Sequence, residues 1–174
     1  MNDISDLIAD PDKWPDIESR DHLHVLNTIA DEAFEKHTIE GYLAALLIYH
    51  QLSEILVKVL IEDCRFYIRT RVHPLEIQFP KNKRAMFGRS LEALKQSVDF
   101  ENKDLFIEKC EKLNAIRNSV VHGLTKSTSL TDVKEKLAQV QTLHDEIYHI
   151  WDHSHDWFRL AFSDIKDEFE FNFI

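Results

Sequence analysis

Six consecutive residues, Arg117-Asn118-Ser119-Val120-Val121-His122, bring a guanidinium, a carboxamide and an imidazole close together in a chain of 174 residues. An imidazole is a natural general acid or base near neutral pH, and a guanidinium is a strong partner for a carboxylate or phosphate. Arg117 stands in an unusual place. It continues the stripe Phe106, Cys110, Leu113, Arg117, Val120, where helical spacing calls for an apolar side chain. A guanidinium turned toward a core needs a partner, because burying it alone costs several kcal/mol. An earlier helix carries a comparable seam, Leu43, Leu47, His50, Glu54, Val57, Ile61, and the simplest expectation pairs Glu54 with Arg117. Asn118 and His122, four apart, share a helix face. Arg117 and His122 are five apart and roughly 140° round the axis. One helix then brings both to one point only if it loosens at His122–Gly123; otherwise a second copy of the chain must supply the missing group.

Two further groupings could do chemistry. Between Cys64 and Arg89 stand Arg65, Arg69, Arg71, Lys81, Lys83, Arg84 and Arg89 against the single acid Glu76. They read either as a solvated loop following arginines that suit a helix C-terminus, or as a phosphate-binding surface. Late in the chain lie His144, Asp145, His149, Asp152, His153, His155 and Asp156. His149 and His153 have the i,i+4 spacing of a metal pair, but no HExxH is present and no cysteine is near, so a solvated, aromatic-spaced face is the expectation. No metal and no cofactor is expected.

The elements that must hold these groups are helical. Three glycines and four prolines are too few for the turns of a sandwich or barrel or for the loops of a nucleotide-binding α/β fold. Hydrophobic spacing predicts helices at about 21–36, 40–71, 87–98, 102–122 and 129–162, with 73–84 as the longest loop. The second is apolar almost all round over Leu43–Ile61, as a central buried helix would be. The fourth should end on Gly123 as a left-handed cap. The fifth should start at a capping box of Ser129 and Asp132 and bury Val133, Leu137, Val140, His144, Ile147, Trp151 and Phe158. The expected organisation is an irregular acidic leader, 1–18, one all-α up-and-down bundle of about five helices, 19–163, and a short tail, 164–174. Charge follows that division: residues 1–40 carry −8, residues 41–126 carry +4 and residues 127–174 carry −6, for −10 in all. Such a balance argues against a protein that coats nucleic acid indiscriminately. The acidic start is no signal peptide, and His50, Gln51, Glu54 and Lys58 interrupt the most apolar stretch, so no membrane association and a cytoplasmic location are expected.

Arg117 to His122 matches the Arg-Asn-x-x-x-His form of the motif of HEPN domains, and the chain resembles that family over about residues 41–160. The long early helix with Glu54 in IYHQLSEILVKVL, the Phe-Gly of RAMFGRSLEALK and LNAIRNSVVHG at the end of the fourth helix are similar as well. The resemblance implies a small all-α bundle, a homodimer, and in many members a metal-independent ribonuclease. In that case His122 acts as general base or acid on the 2′-hydroxyl or the leaving 5′-oxygen. Arg117 neutralises charge on the pentacoordinate phosphate, Asn118 positions the site and Glu54 orients Arg117. The expected partners are an RNA substrate and a protein antitoxin or regulator, in a toxin or phage-defence setting. The toxin subgroup paired with nucleotidyltransferase antitoxins has Tyr two residues after the His, where this chain has Leu124. Other HEPN domains are non-catalytic dimeric interaction or regulatory modules, which the net charge suits.

Overall fold

The computed structural model describes residues 4–80, 86–123 and 130–171. Among them the chain forms α1 (Ile4–Ile8), a 3-10 turn (Pro11–Lys13), α2 (Arg20–Phe34), α3 (Ile39–Val72), α4 (Phe87–Lys95), α5 (Lys103–Gly123), α6 (Leu130–Leu137) and α7 (Val140–Phe171). An all-α bundle is therefore the fold. α3 is its axis, packing against α2, α7, α4 and α5, and α5 packs on α7 as well. It starts at Thr38, whose extended backbone lets Oγ1 accept from the Gly41 amide at 3.1 Å. Gly41 is required by packing: a Cβ there would lie 2.2 Å from the Ala33 carbonyl oxygen of α2. By length and apolarity α3 could cross a membrane, with a mean hydropathy of 1.6, yet 56% of that window is buried inside the bundle, as in the core helix of a soluble protein.

The expected stripe along the last part of the chain is buried throughout, from Val133 to Phe158. It is carried by two helices rather than one. The chain breaks at Ala138 and Gln139, both able to sit in a helix, so local propensity does not decide the break. Packing does: α6 seats Val133 and Leu137 against α3 and α5 while α7 runs along α3. Ser129, the expected cap, lies outside the described residues.

Within the described residues, both flanking segments carry helices that pack on the bundle. The leader is not irregular, because Ile8 and Trp14 belong to the core and the Trp14 indole donates to the Ile8 carbonyl at 3.2 Å. Trp14 also meets Phe162 edge-on at 5.6 Å. Over residues 164–171 the tail is the end of α7: Phe158, Phe162, Ile165 and Phe169 continue one face, and Phe169 lies against His73. α4 ends at Lys95, earlier than expected, where buried Lys103 donates from Nζ to the carbonyls of Lys95 and Ser97, both at 3.1 Å. That cation closes orphan carbonyls at the negative end of a helix. Gly123 is the last residue of α5 and no described glycine has a positive φ, so the expected left-handed cap is not formed. The left-handed positions are Ser19, His37 and Asn102, each within two residues of a helix start.

Candidate functional site

α5 presents Arg117, half-buried, between the core stripe and the exposed Asn118. Its guanidinium donates to Asn118 Oδ1 at 3.1 Å, and no ion pair involving it occurs among the described residues. The expected Glu54–Arg117 pair is not made. Glu54 instead accepts from Lys58 on its own helix at 2.7 Å, because an i,i+4 lysine reaches a half-buried carboxylate without bridging two helices. The second polar member of the α3 seam, His50, is buried and meets Asn114 Oδ1 of α5 through Nε2 at 3.1 Å, with Phe87 edge-on at 4.8 Å. Burial holds the His50 imidazole below its ordinary value, and the Arg117 charge adds to this, while Asn114 and Glu54 oppose it. The fold thus gathers Glu54, His50, Asn114 and Arg117 at one α3–α5 contact. Asn114 was not expected; its only signal in the sequence is its place three residues before Arg117 on the same helix.

His122 stays apart. It is exposed on the last turn of α5, and the helix does not loosen there but runs on through Gly123. By helical geometry it stands roughly 7.5 Å further along the axis than Arg117 and roughly 140° round it. One chain therefore does not converge the two groups, which leaves the second-copy alternative for any joint chemistry.

Among the described residues, the basic segment does not form a single surface with this contact. Arg65 binds Glu62 at 2.6 Å and the Pro80 carbonyl at 3.2 Å, with its guanidinium over the Phe79 ring. Arg71 pairs with Glu168 at 3.2 Å and lies over Tyr67. Arg69 is half-buried in the last turn of α3 and Arg89 is exposed on α4. Lys81, Lys83 and Arg84 lie outside the described residues. Arg65 to Arg71 sit roughly 16–26 Å along α3 from Glu54, whereas Arg89 follows Phe87, the ring against His50.

The late histidines divide. His144 is buried, as its place in the expected stripe requires, and His155 is buried too, where a solvated face was expected. His144 bridges Ser53 at 3.1 Å and Asn27 at 3.2 Å and stacks on Tyr49, and burial lowers its pKa to about 4, so it is a neutral structural hydrogen-bonder. His155 holds Asp63 through Nδ1 at 2.8 Å and stacks on Trp151 at 5.0 Å. Asp63 is fully buried, and desolvation raises its pKa to about 6 against the opposing pull of His155. His149 and His153 are exposed, with His153 3.6 Å from Glu101, and no group of metal ligands occurs among the described residues. Comparison with protein-family models, with curated proteins and with solved structures finds no match.

Proposed function

We propose that this chain is a HEPN-like, metal-independent endoribonuclease, a homodimer acting in the cytoplasm as a toxin or phage-defence effector. The carrying observation is Arg117: half-buried, bonded to a neutral amide and matched to no carboxylate among the described residues, it keeps its charge for a ligand. A cation that only closes a core is satisfied within it, as buried Lys103 is by two carbonyls, whereas Arg117 is given one neutral amide at the surface. In the proposed reaction the ribose 2′-oxygen forms a bond to the adjacent phosphorus and the bond to the 5′-oxygen breaks. His122 takes or returns the proton, Arg117 stabilises the added negative charge, and Asn118 fixes the guanidinium. Because Arg117 and His122 occupy different faces of α5, the two groups at one phosphate come from two copies. Glu54 acts through the field at His50 rather than by orienting Arg117, since Lys58 takes its carboxylate.

Purified protein should cleave single-stranded RNA in EDTA and leave a 2′,3′-cyclic phosphate, and light scattering should show a dimer. His122→Ala should abolish cleavage and lower the melting temperature by no more than a few degrees, because that side chain is exposed. A second reading, a non-catalytic dimeric module with a protein partner, draws on Arg65 and Arg71 being held by acids within the chain. Intact RNA across several sequences, or cleavage that survives His122→Ala, would replace the first reading by the second.

A further inference from the structure

His155 stands between two carboxylates from different parts of the chain. Its Nδ1 lies 2.8 Å from Asp63 Oδ2 of α3, and its Nε2 lies 3.7 Å from Asp16 Oδ1, in the segment joining the 3-10 turn to α2. The ring is buried and stacked on Trp151, so it is held in this orientation. Asp63 is fully buried and its Oδ1 has no partner among the described residues, which makes the Nδ1–H of His155 the hydrogen bond that satisfies this carboxylate.

That arrangement makes the contact with Asp16 depend on a second proton. A neutral imidazole has one N–H, and Asp63 takes it. Nε2 then turns a lone pair toward an anion, and two acceptors form no bond. An imidazolium donates from both nitrogens and holds both carboxylates at once. Burial opposes ionisation of Asp16, but hydrogen bonds from Arg20 and the Ile17 amide hold its carboxyl below the ordinary value, so it stays an anion near neutral pH. Burial pushes Asp63 up to about 6 against the pull of His155 and Arg159, so it is ionised above that pH.

Asp16 belongs to the segment that closes the bundle from outside. Two residues earlier, Trp14 meets Phe162 edge-on, lies against the Arg159 guanidinium at 5.0 Å and donates to the Ile8 carbonyl. We propose that His155 is a proton-gated clasp, which secures residues 4–19 to α3 and α7 when charged and loosens them when neutral. Asp63 stands roughly 14 Å along α3 from Glu54, so the clasp is separate from the Arg117 contact and independent of any reaction there. Other charges face the cluster. Arg20 and Arg159 approach from α2 and α7 and do not titrate, exposed Asp152 and Asp156 flank His155 on α7, and His24 lines the neighbouring groove from α2. His144, at about 4, stays neutral in the range of interest.

The test is NMR hydrogen exchange between about pH 6.5 and 8.5, where imidazoles change charge. The reporters are the Trp14 indole and the Lys13 and Trp14 amides, each bonded to a carbonyl inside the segment, with protection taken relative to the unfolded rate at each pH. In the wild-type chain protection should fall about fivefold as pH rises, the loss of one partly buried ion pair. His155→Gln still donates to Asp63 but carries no charge, and Asp16→Asn removes the anion; both should show low protection that no longer depends on pH. Arg20→Gln and His24→Gln should keep the fall. If His155→Gln does not fold, Asp16→Asn, at a half-exposed position, still decides. Three results would each overturn the proposal: constant protection in the wild-type chain, an undiminished fall in Asp16→Asn or in folded His155→Gln, or an equal fall at the Cys110 amide of α5, which would make the loosening global.

Discussion

Replacing Arg117 by alanine separates a core cation from one held for a ligand. Its structural losses are one hydrogen bond to the exposed Asn118 and the packing of a half-buried stem. A partly solvated hydrogen bond contributes about 1 kcal/mol, and with no carboxylate beside it no buried charge is left behind. Arg117→Ala should therefore cost about 1 kcal/mol in urea denaturation. Glu54→Gln, which breaks only the pair with Lys58, should cost about 0.5 kcal/mol. A double-mutant cycle between them should return a coupling below about 0.5 kcal/mol. The charges should still register at His50, followed by its imidazole NMR shifts. Arg117 pushes the His50 pKa down and Glu54 pulls it up, so Arg117→Ala should raise it and Glu54→Gln should lower it further. The reasoning fails if Arg117→Ala costs roughly 3–5 kcal/mol and Arg117→Met with Glu54→Leu restores it, the behaviour of a buried ion pair.

Lowering pH should destabilise the protein through His144, whose pKa is about 4 in the folded state against an ordinary 6.5. The unfolded chain binds that proton first, so stability is full above 6.5 and falls by about 3 kcal/mol as pH drops toward 4. Asp63, raised to about 6, contributes with the opposite sign between 3.8 and 6, so the quantity to measure is the wild type minus His144→Gln across that range. Gly41→Ala, a change that usually favours a helix, should here cost about 2–4 kcal/mol by urea midpoint, because the new methyl meets the Ala33 carbonyl of α2. Lys103→Met should cost about 1–3 kcal/mol by the same assay, since two helix-terminal carbonyls lose their buried donor.

Much of the architecture could be read from periodicity. The near-continuous apolar run from Leu43 to Ile61 marks the central helix, and the stripe from Val133 to Phe158 is buried at every position named. Burial of one face at 3.6 residues per turn is a property of composition and spacing, so it survives even the break at Ala138. The end of α7 was hidden because Phe169, Phe171 and Phe173 mimic a two-residue alternation, whereas the core-facing set Phe158, Phe162, Ile165 and partly buried Phe169 follows steps of four, three and four. The acidic leader was hidden too, since two separate apolar residues, Ile8 and Trp14, show no period before the bundle offers them a surface.

Partner choice was decided elsewhere. The sequence alone sets which polar groups can occupy which helix faces, and so it already places Glu54 and His50 on one seam of α3 and Arg117 on the stripe of α5. Which of them bond depends on how α3 and α5 cross: the crossing brings Asn114 to His50, while Lys58, one turn away on the same helix, claims Glu54. The same holds for His144, whose burial the stripe announces but whose partner Ser53 it does not, and for His155, alike in sequence context to His149 and His153 but buried because α7 turns it toward Asp63. A helical period names the face; only packing in three dimensions names the neighbour, because hydrogen bonds and charges act over a few ångströms between segments that lie far apart along the chain.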